Sequence, residues 1–141
     1  LEIFKKDDRK NTMDTFIVAI GLDKQGGISS THFGDSEEIL YVEVMKGSVK
    51  ILEKIVNPVK ELDEQGHGDQ EKLNAAHDLL GNATIIVAGK MSPNFRQMRK
   101  KKNRMPIVSS KTLDETLVYL KGSLEDILAY FDDPENIYLK I

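Results

Sequence analysis

His32, His67 and His77 are the only imidazoles in this 141-residue chain, and there is no cysteine. Thiolate chemistry is therefore closed: no disulfide, no cysteine-held zinc, no cysteine nucleophile and no thiolate-held iron–sulfur cluster can form. His32 lies in Gly26-Gly27-Ile28-Ser29-Ser30-Thr31-His32-Phe33-Gly34-Asp35. Phe33 can anchor that loop in the core, Gly34 lets the chain turn after it, and His32 is then presented outward. An outward imidazole on a rigid loop suits a metal ligand; equally, it can simply hydrogen-bond the loop in place. His67 stands between Gly66 and Gly68, free to act as a ligand or gate, or to be an ordinary loop histidine. His77 shares a helical apolar face with Leu73 and Leu80 and reads as a packed core residue.

A second constellation is Gly89-Lys90-Met91-Ser92-Pro93-Asn94. It joins a buried strand to a helix start, where free N–H groups form an anion site that Lys90 would strengthen. An ordinary strand–helix turn explains it as well. It lacks the glycine–lysine pattern of a nucleotide-binding P-loop. Arg96, Arg99, Lys100, Lys101, Lys102 and Arg104 place six positive charges in nine residues. The formal charge is −3, so the remainder, with 14 basic and 23 acidic groups, sums to −9. This run is either a solvated helix end or a patch for an anionic partner. No aromatic interleaves with it, which argues against nucleic-acid stacking. There is no G-x-S-x-G or H-E-x-x-H, and the pairs Glu37-Glu38 and Asp132-Asp133 read as surface charge. Two-metal hydrolysis would need convergent carboxylates, and only Asp23 and Asp35 flank the first strand.

The elements that position these residues follow from patterning. Thr15 to Gly21 is a buried strand. Glu38–Met45 and Ser48–Val56 form a hairpin around Lys46-Gly47, ended by Asn57-Pro58. Leu73, Ala76, His77 and Leu80 predict a helix over 69–80 with Gly81 as its stop. Thr84 to Gly89 is a strand buried on both faces. Ser92-Pro93 caps a helix to Lys102. Met105 to Ser109 is a strand. Thr112 and Glu115 make a capping box for a helix to Lys121, stopped by Gly122. A last helix spans Ser123 to Phe131, and Asn136 to Ile141 offers an edge strand. The order β-β-β-α-β-α-β-α-α predicts an α/β fold, a mixed sheet with helices on both faces.

Ile28-Ser29-x-x-His32-Phe33-Gly34-x-Ser36 followed by Tyr41-x-Glu43-Val44 resembles the dinitrogenase iron–molybdenum cofactor-binding family, which includes nitrogenase accessory and carrier proteins. Ala88-Gly89, the Ser-Pro helix start, Pro106-Ile107-Val108 and Leu113-x-Glu115-x-Leu117 follow the same order, so the similarity covers Asp14 to Phe131. The resemblance implies a ribonuclease H-like, three-layer α/β/α fold with a five-stranded mixed sheet. It also implies non-enzymatic binding or carriage of an iron–sulfur-based cluster of the iron–molybdenum cofactor type. His32 then takes the role of the family's His-Phe-Gly histidine, the metal ligand, and His67 matches a histidine in a variable glycine-rich loop. Phe33, Gly34, Lys90 and Ser92 complete the expected cofactor-binding set. Many members carry cysteine in that variable loop, where this chain has none.

The expected organisation is a flexible N-terminus over 1–12, one domain over 13–131 and a C-terminal extension over 132–141. The first twelve residues lack the apolar core of a signal peptide, Met13 is a candidate start, and no apolar run reaches the roughly 18 residues of a membrane span. A cytoplasmic protein meeting cofactor donor or acceptor proteins is expected, with no membrane or nucleic acid. The alternative is a metal-free interaction or regulatory domain on the same fold.

Overall fold

The computed structural model describes residues 15–58 and 78–141. Its centre is β1 (Thr15–Leu22), an eight-residue strand whose last five residues are buried. β1 pairs antiparallel with β2 (Glu38–Met45) on one side and parallel with β4 (Ile85–Ala88) on the other. β3 (Ser48–Val56) extends the antiparallel side, while β5 (Met105–Val108) and β6 (Leu139–Lys140) extend the parallel side. The order is β3-β2-β1-β4-β5-β6. The sheet is thus mixed, as expected, but has six strands rather than five. The additional strand is the short β6, which the chain adds after its last helix.

Alternation divides the core between the two faces of this sheet. Val18, Ile20 and Leu22 of β1 join Ile85 and Val87 of β4 on one face. Ala19 joins Ile86 and Ala88 on the other. A strand whose two faces are both covered needs apolar residues throughout, and Ile85–Ala88 has nothing else. The first face is covered by α2 (Leu113–Gly122) and α3 (Leu124–Phe131), through Leu120, Leu124, Ile127 and Phe131. The second is covered by α1 (Pro93–Lys102), through Phe95 and Met98.

Local signals place the ends of these elements. Ser92 accepts the Phe95 N–H at 3.2 Å with Pro93 opening α1, and Asn103 closes it in the left-handed region at φ 56°. Thr112 and Glu115 make both bonds of the capping box. Gly47 turns the β2–β3 hairpin at φ 81°, and its N–H reaches the Lys121 carbonyl at 2.8 Å, tying the hairpin tip to α2. The register slips between Tyr41 and Val42, which face Glu53 and Ile51, so Leu52 is an inserted bulge residue. Gly122 does not stop α2: it is the last helical residue, and Ser123 serves as both the end of α2 and the start of α3. Of the helix expected over 69–80, Asp78 to Leu80 are helical, with Gly81 left-handed at φ 54°.

The basic run divides in two. Arg99 is buried, with its guanidinium 4.9 Å above the Phe131 ring. It donates to the carbonyls of Asn136 (2.9 Å), Phe131 (2.8 Å) and Asp133 (3.2 Å). Arg104 is also buried and donates to the carbonyls of Ala83 and Gly81. These two charges hold the fold together, α1 to the segment feeding β6 and β5 to the start of β4. Arg96 and Lys100 to Lys102 remain exposed.

Candidate functional site

The loop that carries His32 leaves the buried end of β1. Asp23 Oδ1 accepts the N–H groups of Gln25 and Gly27, both at 2.9 Å, which folds the chain back so that Ile28 bridges Leu22. The Ser29 N–H then donates to the Gly21 carbonyl at 2.9 Å, and the Ser29 carbonyl accepts the Gly89 N–H at 2.8 Å. Ser29 therefore bridges the ends of β1 and β4. A Cβ on Gly89 would collide with the Ser29 carbonyl oxygen and sit 3.1 Å from Ser29 C and Ser30 Cα. Only glycine allows this approach.

The Phe33–Asp35 segment forms a 3-10 turn that begins at His32. The Asp35 N–H reaches the His32 carbonyl at 2.9 Å, and the Ser36 hydroxyl reaches the Phe33 carbonyl at 2.7 Å. Asn57, buried at the end of β3, donates its amide to the carbonyls of Gly34 (3.0 Å) and Ser36 (2.9 Å). Phe33 is buried with its ring centroid 6.2 Å from that of Phe95 in α1. Gly21 makes room for Ser36, whose side chain a Cβ there would strike. His32 stands on this anchored base with 40% of its side chain exposed, and its Nδ1 lies 4.0 Å from Asp35 Oδ2.

The structure brings the two constellations together. The Gly89–Ser29 bond joins the His32 loop to the turn Lys90–Ser92, and the Phe33–Phe95 contact joins it to the first turn of α1. Lys90 is exposed, and the N–H groups of Lys90, Met91 and Asn94 meet no acceptor among the described residues. Ser92 is buried, and its hydroxyl serves the helix cap. Gly34 gives its carbonyl to Asn57. His67 and His77 lie outside the described residues. The cationic end of α1 is about 15 Å along the helix from Ser92 at 1.5 Å per residue. A half-exposed imidazole, a lysine and open N–H groups at the ends of two adjacent parallel strands can together receive an anionic, metal-containing ligand.

A family model described as dinitrogenase iron-molybdenum cofactor matches residues 15–121. The chain belongs to the dinitrogenase iron–molybdenum cofactor family. No curated protein matches it. The matched span starts with β1 and ends one residue before the end of α2, so it contains the whole His32 loop and the Lys90 turn. α3 and β6 lie beyond it, yet Ile127 and Phe131 are part of the same core. Among the described residues no helix is long and apolar enough to cross a membrane. Also among them, no three His, Cys, Asp or Glu side chains are grouped to hold a metal ion.

Asn57, Ser29 and Ser36 are the positioning residues that patterning does not reveal. Asn57 reads in sequence only as the end of a strand, because its acceptors lie 21 and 23 residues earlier. Ser29 and Ser36 have a readable signal in retrospect: small polar residues flanking an aromatic anchor, both buried in the fold.

Proposed function

We propose that this protein binds or carries an iron–sulfur-based cluster of the iron–molybdenum cofactor type, or a precursor, without catalysing a reaction. The observation that carries the reading is the half-exposed His32 ring on a base pinned to the Lys90 turn, in a chain of this family. A preassembled cluster brings its own sulfides and needs only one or two protein ligands. One imidazole on a rigid base, with a lysine and N–H donors beside it, holds such a cargo and can release it. His32 is the metal ligand in this reading, Phe33 and Gly34 shape its base, Lys90 and the Ser92 turn contribute positive potential, and His67 is a second ligand. The strand order from β3 to β5, with β2 antiparallel to its neighbours, supports a ribonuclease H-like three-layer core. The partners are cluster donor and acceptor proteins, in the cytoplasm.

The test is anaerobic exposure of the purified protein to isolated iron–molybdenum cofactor, followed by gel filtration and iron and molybdenum analysis. Wild type should retain both metals. His32→Ala should lose roughly tenfold in affinity, about 1.4 kcal/mol, with its circular dichroism unchanged. Equal retention by the variant would remove His32 from the site. The exposed face of Lys100, Lys101 and Lys102 favours a second reading, a metal-free interaction domain. It would be preferred if wild type retained no metal and captured a protein partner that neutralising these lysines released.

A further inference from the structure

We propose that Asp35 is a positioning residue that holds the His32 ring by Nδ1 and so makes Nε2 the ligand atom. The inference deepens the cluster-binding reading and rests on it only for the identity of the cargo. His32 opens the 3-10 turn and Asp35 closes it, with the Asp35 N–H on the His32 carbonyl at 2.9 Å. The bond from the Asp35 N–H to the His32 carbonyl closes the turn, and the two side chains meet across it. Nδ1 lies 4.0 Å from Oδ2, within reach of a direct bond after a small torsional change or of a bridging water.

The base under the pair is rigid for reasons independent of either side chain. Ser36 and Asn57 fasten the carbonyls of Phe33, Gly34 and Ser36. Phe33 is locked against Phe95. The backbone that carries the imidazole is therefore fixed, and the carboxylate beside Nδ1 favours one orientation of the ring. A carboxylate facing Nδ1 favours the proton there, which leaves the Nε2 lone pair available to a ligand. The two side chains are similarly exposed, at 40% and 36%, so both stand at the rim where a cluster would arrive. Asp35 is in addition a negative charge beside an anionic cargo. Its net effect is favourable only because it orients the ligand, so its removal should change the tautomer as well as the affinity.

The experiment uses the full chain with 15N-labelled imidazoles and long-range proton–nitrogen correlation spectra. In wild type, His32 should be predominantly the Nδ1–H tautomer. In Asp35→Ala the population should move several-fold towards Nε2–H, while the backbone amide spectrum stays that of wild type. Asp35→Asn, whose amide oxygen can still accept from Nδ1, should restore most of the wild-type ratio. Retention of isolated iron–molybdenum cofactor should fall about tenfold or more in Asp35→Ala, within the range for losing the partner of a ligating histidine. A wild-type His32 in the Nε2–H form, or a tautomer ratio unmoved by Asp35→Ala, would overturn the inference. Because the tautomer is read without metal, a wild type that shows Nδ1–H yet retains no cluster would refute the carrier reading and leave the role of Asp35 standing.

Discussion

Gly89→Ala tests whether the two halves of the site are held by one close backbone contact. The glycine is not in a left-handed conformation, so alanine meets no torsional barrier there. The cost is steric. The new methyl would collide with the Ser29 carbonyl oxygen and lie 3.1 Å from two further main-chain atoms, and none of these is the end of a flexible side chain. Relieving such overlap in a packed region costs about 1–3 kcal/mol. Separating the strands enough to relieve it also breaks the Gly89 N–H bond to Ser29, worth about 0.5–1.5 kcal/mol. The lower entropy of the unfolded alanine chain returns about 0.4–1 kcal/mol. The net loss should be about 2–3 kcal/mol, read as a lower urea midpoint at unchanged slope. Gly122→Ala is the control: it is helical, its Cβ would meet nothing within 4 Å, and it should stabilise by up to about 1 kcal/mol. A Gly89→Ala protein within about 0.5 kcal/mol of wild type would refute the claim that this contact joins the His32 loop to the Lys90 turn.

Arg99→Met should cost about 2–4 kcal/mol by removing the guanidinium that serves the carbonyls of Phe131, Asp133 and Asn136, of which, among the described residues, Asp133 alone keeps a second donor, the Asn136 N–H. Hydrogen exchange of the Ile141 amide, which bonds Val108 at the sheet edge, should accelerate with it; Arg99→Lys should recover little, since a point charge cannot reach three carbonyls at once. Thr112→Ala should lower stability by about 1 kcal/mol in urea titrations, through loss of the α2 cap. The Thr112 N–H, with its hydroxyl second, holds the Glu115 carboxyl below its ordinary value of 4.5. The ionised form is thus favoured in the folded state. Its contribution should be complete above 4.5 and vanish as pH falls through the lower folded value, and Glu115→Gln should abolish that part of the pH dependence of the urea midpoint.

Features set by a few neighbouring residues were legible in the sequence. The Lys46-Gly47 turn, the Ser92-Pro93 helix start and the Thr112–Glu115 box each combine residues at most three apart, and the structure has all three. The mixed sheet with helices on both faces followed from the order of such elements. Contacts between distant residues were not legible. Arg99 and Arg104 look in sequence like the lysines between them. Only the fold shows that they face carbonyls 21 to 37 residues away. The edge strand expected within Asn136–Ile141 is present as Leu139–Lys140, but its pairing with β5 could not be read from so short a segment. The meeting of the His32 loop with the Lys90 turn depends on the parallel pairing of β1 and β4, which no local pattern encodes. His67 falls outside the described residues, so the second imidazole of the expected site rests on sequence alone.

The frame beneath His32 is built largely from main-chain atoms. The carbonyls of Gly21, Ser29, Phe33, Gly34 and Ser36 and the N–H groups of Ser29 and Gly89 carry the load. Main-chain atoms are blind to side-chain identity, so Ser30 and His32 at the crest can be exchanged with little disturbance below them, whereas the Thr31 hydroxyl is tied to that of Ser29 at 2.6 Å. Holding and binding are therefore separable here, as a socket is from the tool it takes. A His32→Cys or His32→Asp protein would turn the same mount towards softer or harder metals, and comparison of such variants would measure ligand chemistry on a fixed geometry.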